Sequence, residues 1–386
     1  MVRKVSWGVF VGVVLVLGLS VWGFAKDGVD PDRKVVQIVG YDAASGKYGD
    51  YGLGNKRGQE IAVDEINAAG GIQKGSLSGY HLKLEFFDDR GDPKESANIA
   101  KRISAGDYLV AIGPTISSCA LAATPVFYRS RVPNIITYSN ANTITEQGFD
   151  NVIRLTYTTK SIARYIAEQV KNQFGKNSVA IISENQDYGQ QLVKYFKEAA
   201  DSLGISVTSE SVITPGQDLD FKSVLLKAME KDPQFLVLFV TYNEGGMIVR
   251  QTRQLGWKVP IYVPDAMTEP KFYELAGDVS NVYIQLSPTI DMSRPAAKIL
   301  KEEWEKRYGG VPPLSAIYGY DAVKVAVKVM EAGATDRESF IKLMRTVKHE
   351  GVANPLYTFD DKGDSQAPPF VTMPCNEYYE KNIKGK

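Results

Sequence analysis

Five short polar segments in this 386-residue chain carry side chains that could do chemistry. They are Pro114-Thr115-Ile116-Ser117-Ser118-Cys119, Tyr138-Ser139-Asn140-Ala141, Glu184-Asn185-Gln186-Asp187-Tyr188-Gly189, Thr241-Tyr242-Asn243 and Pro264-Asp265-Ala266. The first two offer hydroxyls and backbone N–H groups, which suit a carboxylate. The other three offer tyrosines and a carboxylate, which suit an ammonium. Together they could hold a small dipolar solute, whose charged ends lose several kcal/mol of hydration each unless both are matched. Each segment is ordinary alone; a Ser-Ser ahead of a helix is usually an N-cap.

Other chemistry is poorly provided for. Two Cys (Cys119, Cys375) and two His (His81, His349) are too few for a zinc cluster, an iron–sulfur site or a disulfide scaffold, and no cofactor is expected. The two cysteines read as isolated thiols and the two histidines as surface residues. No P-loop and no Gly-x-Ser-x-Gly elbow occurs. The glycines of Gly52-Leu53-Gly54 and Gly58 stand too far beyond the strand ending near Gly40 for a dinucleotide fingerprint, and read as an entry loop and close helix packing. Asp88-Asp89 reads as a solvated turn. An enzyme is not expected. Lys+Arg total 45 and Asp+Glu total 45, so no basic excess favours nucleic acid.

These segments need a scaffold, and the pattern around them supplies one. Residues 1–25 place Arg3 and Lys4 before an apolar run from Val5 to Ala25, with Gly23 and Ala25 at the −3 and −1 positions of a secretory signal; a retained anchor is the alternative. From Val35 onward strands alternate with amphipathic helices. Strands are expected at 35–39, 82–86, 109–113, 132–137, 179–183, 205–207, 235–240, 260–263 and 282–286. Helices are expected at 59–69, from Asp92, then at 118–130, 162–174, 192–203, 221–231, 247–255, 295–308, 316–332 and 337–347, before a strand-rich tail at 356–373. Such alternation means an α/β fold with parallel sheets, here two of about five strands each. Each polar segment then follows a strand, at the sheet edge where α/β proteins bind ligands.

Further segments are Ser45-Gly46 with Tyr51-Gly52, Ala62 to Ile72, Asp88 to Pro93, Ile112-Gly113 with Ser117-Ser118, Asp187-Tyr188-Gly189, Tyr242 with Arg250 to Gly256, Tyr320-Asp321-Ala322, and Phe359 to Gly363. In order and spacing they resemble the leucine/isoleucine/valine-binding proteins, the amino-acid receptors of bacterial ABC importers. The resemblance implies a type I periplasmic binding protein fold, two Rossmann-like lobes joined by three crossovers around a ligand cleft. The N-terminal lobe would comprise 35–154 and 288–355, the C-terminal lobe 155–287 and 356–386. It implies that Ser117, with Ser118 at the same helix N-terminus, binds a ligand carboxylate. A second carboxylate loop falls on Tyr138, Ser139, Asn140 and Ala141, where Tyr138 replaces the family's usual proline and Ser139 and Asn140 are the expected contacts. Tyr51, Tyr188 and Tyr242 would close over the ligand, and Asp265 would hold its ammonium in place of the usual, longer Glu. The family's cystine is not expected, since Gly91 occupies one of its positions. The implied role is periplasmic capture of an amino acid (branched-chain or related) by a monomer that delivers it to an inner-membrane ABC permease. A short amide or aromatic acid as ligand, or a sensory role, is the alternative.

Overall fold

The computed structural model describes residues 27–287, 294–366 and 369–384. The segment 1–25, read above as a secretory signal, lies outside the described residues. Among the described residues, no helix is long and apolar enough to cross a membrane.

The described strands form two six-stranded sheets. The first contains β1 (Val29–Asp30), β2 (Val35–Asp42), β3 (His81–Asp88), β4 (Ala111–Ile112), β5 (Asn134–Ile136) and β6 (Val152–Arg154). Its parallel run is β3-β2-β4-β5-β6, with β1 antiparallel to the start of β2. The second contains β7 (Ser178–Glu184), β8 (Ser206–Ile213), β9 (Phe235–Phe239), β10 (Ile261–Val263), β11 (Val282–Leu286) and β12 (Val371–Pro374). Here the parallel run is β8-β7-β9-β10-β11, with β12 antiparallel on the outer edge. Both runs have the same doubly wound order, so each sheet reverses direction beside its first long strand: between β2 and β4, and between β7 and β9. A crevice opens at the carboxyl ends of the strands at such a reversal.

Residue type explains the elements. Phe235 to Phe239 are all buried, with no alternation, because helices cover both faces of β9. Asp92 caps the helix Pro93–Ala105, accepting from the N–H groups of Lys94 (2.7 Å) and Glu95 (3.1 Å).

Three helices start five or more residues earlier than their apolar periodicity indicates. Gly49–Ala68 begins ten residues ahead of the expected Gln59. Gly54 and Gly58 face the helix Leu314–Glu331: a Cβ on Gly58 would lie 1.9 Å from the Ala316 carbonyl oxygen. The packing half of the sequence reading of Gly52–Gly58 is therefore what the fold uses, and the loop half is not. Asp187–Leu203 and Tyr242–Gln254 likewise take Tyr188 and Tyr242 into their first turns. First-turn N–H groups have no intrahelical partners, so these positions can be spent on a site rather than on an apolar stripe.

The tail also differs from expectation. Residues 363–365 run beside β6, with Arg154 N–H donating to the Gly363 carbonyl (2.8 Å) and Ser365 N–H to the Arg154 carbonyl (3.0 Å). The tail thus runs along the first sheet at 363–365 before β12 joins the second. β12 is the tail's one described strand, and the helix Cys375–Asn382, absent from the sequence reading, follows it. His349 is half-buried, with its ring parallel to that of Tyr357, where a surface position was expected. Cys119 and Cys375 are separate, buried, unpaired thiols.

Candidate functional site

Asp42, the last residue of β2, builds the first wall. Its carboxylate is fully buried and accepts from the Thr115 N–H (3.0 Å), the Thr115 hydroxyl (2.9 Å), the Asn55 amide (2.6 Å) and the Ala43 N–H (2.8 Å). Burial pushes its pKa up to about 6 despite these donors. The loop it anchors leaves β4 through Gly113, where φ is +132° and a Cβ would lie 2.0 Å from the Tyr41 carbonyl oxygen, so no other residue fits. The helix Ser117–Arg129 follows directly. It has neither a side-chain cap nor an acidic residue in its first turn, so its N-terminal partial positive charge is not answered from within the helix. The Ser117 hydroxyl accepts from the Ala141 N–H (3.2 Å), tying this turn to the loop after β5.

Asp88-Asp89 is no solvated turn. Asp89 is fully buried and its pKa is pushed up to about 7, by burial first and then by the Asp42 charge. Asp88 accepts from the Ala44 N–H (2.9 Å) and helps to fix the turn that carries Tyr48.

The two lobes meet over a small cavity lined by Tyr48, Tyr51, Thr115, Ile116, Ser117, Ser118, Tyr138, Asn140, Glu184, Gln186, Tyr188, Thr241 and Ala266. All of these follow, or end, strands at the carboxyl edges of the sheets. About 30 Å³ is open to the centre of a water-sized atom; adding that atom's radius all round gives on the order of 150 Å³ for a compact void, enough for one small solute. None of the lining residues is Lys, Arg or His. Direct contacts hold the lobes shut. Tyr51 donates its hydroxyl to the Ala266 carbonyl, Asn243 its amide to the Lys47 carbonyl (2.7 Å), and Gln191 its amide to the Thr143 hydroxyl (2.8 Å).

Acidic groups crowd the second lobe's side. Glu184, which ends β7, is 2% exposed, and its Oε2 has no hydrogen-bond partner. Burial, and then the neighbouring Glu244 charge, push its pKa up to about 8. The Tyr188 hydroxyl, in the same cavity, also lacks a partner. Asp265 is placed differently. Its Oδ2 accepts from the Tyr138 hydroxyl (2.9 Å) and from the Tyr157 hydroxyl, and it is absent from the cavity lining. Burial holds its pKa up near 6 against those donors.

Of the residues singled out in the sequence, Tyr51, Ser117, Ser118, Tyr138, Asn140 and Tyr188 converge on the cavity. Ser139, Ala141, Tyr242 and Asp265 stand behind it. Ser139 donates to the Pro114 carbonyl (2.9 Å), and the Ala141 carbonyl accepts from the buried Arg154 guanidinium (2.7 Å). Tyr242 packs edge-on against Tyr51 with ring centres 4.6 Å apart. Asp265 holds the hydroxyl of the Tyr138 wall. Sequence reasoning missed Asp42 and Glu184 as site residues. Both are acids that close an apolar strand at its carboxyl end, and that signal was legible.

Residues 35–372 match the sequence model of a family described as periplasmic binding protein. The chain belongs to that family. This periplasmic binding protein is 25% identical over 355 residues, 91% of this chain and 92% of the other, to the leucine-, isoleucine-, valine-, threonine-, and alanine-binding protein of Pseudomonas aeruginosa. It is also 25% identical over 364 residues, 92% of this chain and 93% of the other, to the Leu/Ile/Val-binding protein of Escherichia coli. The substrate-binding protein LivJ of Streptococcus pneumoniae, solved with isoleucine, superposes with a TM-score of 0.79 at 25% identity, covering 87% of this chain and 95% of that one. A Rhodopseudomonas palustris solute-binding protein in complex with benzoate has a TM-score of 0.78 at 17% identity over 88% of this chain and 92% of its own, and shares the fold. The expected likeness to Leu/Ile/Val-binding proteins and the type I periplasmic binding fold are both found.

Proposed function

We propose that this periplasmic binding protein captures one small α-amino acid between its lobes and delivers it to the membrane permease of an ABC importer. The observation that carries the reading is the charge layout of the cavity. An uncapped helix N-terminus with Ser117 and Ser118 faces it from one lobe, buried acid faces it from the other, and no lining side chain is cationic. A ligand that brings its own positive charge can ionise and pair with that acid, while its carboxylate suits the serines and the N–H groups of the helix turn. Tyr51, Tyr138, Asn140 and Tyr188 complete the walls; Ser139, Ala141, Tyr242 and Asp265 support them. A purely anionic acid would leave Glu184 protonated and its Oε2 unmatched, whereas an ammonium can pair with its carboxylate, so the amino acid is favoured over the aromatic acid. The curated relatives named for leucine, isoleucine and valine support the ligand class. The same kinship supports export to the periplasm, with residues 1–25 serving as the signal.

Mass spectrometry of solute released from freshly purified protein, followed by calorimetry against an amino-acid panel, tests this. At least one amino acid should bind with a Kd in the micromolar range or below, about −8 kcal/mol or better. Binding of an amine-free acid and of no amino acid refutes the reading.

A further inference from the structure

We infer that Glu184, rather than Asp265, is the group that grips the ammonium of the bound solute, with the Tyr188 hydroxyl beside it. The inference rests on the amino-acid reading above and assigns its cationic subsite.

The two lobes provide an internal comparison. β2 and β7 hold corresponding places in their sheets, and each ends in an acid, Asp42 and Glu184. Asp42 spends its carboxylate on four protein donors and fixes the Thr115 loop. Glu184 leaves Oε2 without a partner although it is buried. A buried carboxylate oxygen with nothing to accept is costly unless something arrives to meet it. That oxygen belongs to a residue lining the cavity, alongside a second unpartnered group, the Tyr188 hydroxyl. Gly189 leaves room for the glutamate stem: a Cβ there would lie 2.6 Å from Glu184 Cγ.

Asp265 offers no such vacancy. Tyr138 and Tyr157 both donate to its Oδ2, and the Tyr138 ring stacks on Tyr318 with centres 5.2 Å apart. An ammonium reaching Asp265 would have to displace the wall that shapes the cavity. Asp265 is thus a positioning residue for Tyr138.

The groups around Glu184 also predict a proton signature. Glu244 from the helix Tyr242–Gln254 raises its pKa, whereas Lys47, whose amine donates to the Pro215 carbonyl (3.2 Å), and the Thr241 backbone lower it. Tyr188 faces it as a neutral phenol, its pKa raised by burial and by the Asp265 and Glu184 charges. Glu184 therefore carries a proton at pH 7 when the cavity holds no cation. An arriving ammonium favours the carboxylate, and that proton passes to the buffer.

Calorimetry in two buffers of different ionisation enthalpy tests this. It compares wild type, Glu184→Gln and Asp265→Asn against the amino acid that wild type binds and the matching 2-hydroxy acid, which has a hydroxyl in place of the ammonium. Melting curves confirm that each variant is folded. In wild type at pH 7, close to one proton should be released per amino acid bound and none per hydroxy acid. In Glu184→Gln the preference for the amino acid over the hydroxy acid should fall more than tenfold and the proton release should vanish. In Asp265→Asn the proton release should persist. Wild-type preference and proton release in Glu184→Gln, or their loss in folded Asp265→Asn alone, overturns the inference and leaves the amino-acid reading standing. A wild type that binds no amino acid overturns both.

Discussion

Replacing Glu184 by Gln should make the ligand-free protein more stable, and by an amount that grows with pH. The carboxyl is buried, with its pKa raised from 4.5 to about 8. The folded chain thus holds a proton that the unfolded chain gives up readily, and stability drains away as pH climbs from the unfolded value through the folded one. At pH 7 this difference costs wild type about 3 kcal/mol, and at pH 5 about 1 kcal/mol. Gln never ionises, so the variant escapes that term. Its amide inherits an unpartnered position, which returns about 1 kcal/mol of destabilisation. The net gain is about 2 kcal/mol at pH 7 and close to zero at pH 5. For a chain of this size that is a rise in melting temperature of a few degrees at the higher pH. Thermal unfolding of both proteins, freed of ligand and followed by circular dichroism between pH 5 and pH 8.5, reads the difference. Parallel curves across that range would refute the burial argument for Glu184. A variant that gains stability while losing its grip on ligand is the expected pattern where a site stores an unsatisfied group for its function.

Ser117→Ala should weaken amino-acid binding about tenfold, the worth of one hydrogen bond to a charged group together with the lost tie to the Ala141 N–H, as read by calorimetry. Asp42→Ala strands four donors around the Thr115 loop and should lower unfolding stability by about 3 kcal/mol; an unchanged urea midpoint would show the anchor to be idle. Cys119 and Cys375 should both react with a thiol reagent only after unfolding, since burial encloses each and raises its pKa; rapid labelling of the native protein would contradict their placement.

Much of the architecture was legible because burial leaves a local trace. Phe235 to Phe239 could belong to little except a strand covered on both faces, and Asp92-Pro93 could hardly start anything but a helix. The helix at Gly49 was hidden for the opposite reason. Its first ten residues include four glycines, of which Gly54 and Gly58 let the helix Leu314–Glu331 approach closely, a partner more than 250 positions away and invisible to any local pattern. The starts of the helices carrying Tyr188 and Tyr242 were masked similarly, since their first turns serve the cleft rather than the core.

The chain's order of residues determined by itself that polar loops would gather at the carboxyl edges of two parallel sheets, because strand–helix alternation leaves them nowhere else to go. Only the tertiary structure decided which acid looks into the space between the lobes. Glu184 ends β7, Asp265 follows β10 by two residues, and the two are equally charged on paper. Asp265 is claimed by two tyrosine hydroxyls brought from residues 138 and 157, whereas Glu184 has a buried oxygen that no hydrogen-bond donor of the chain meets. A side chain's partners are set by what the whole fold packs against it, and that choice is made between residues far apart in sequence.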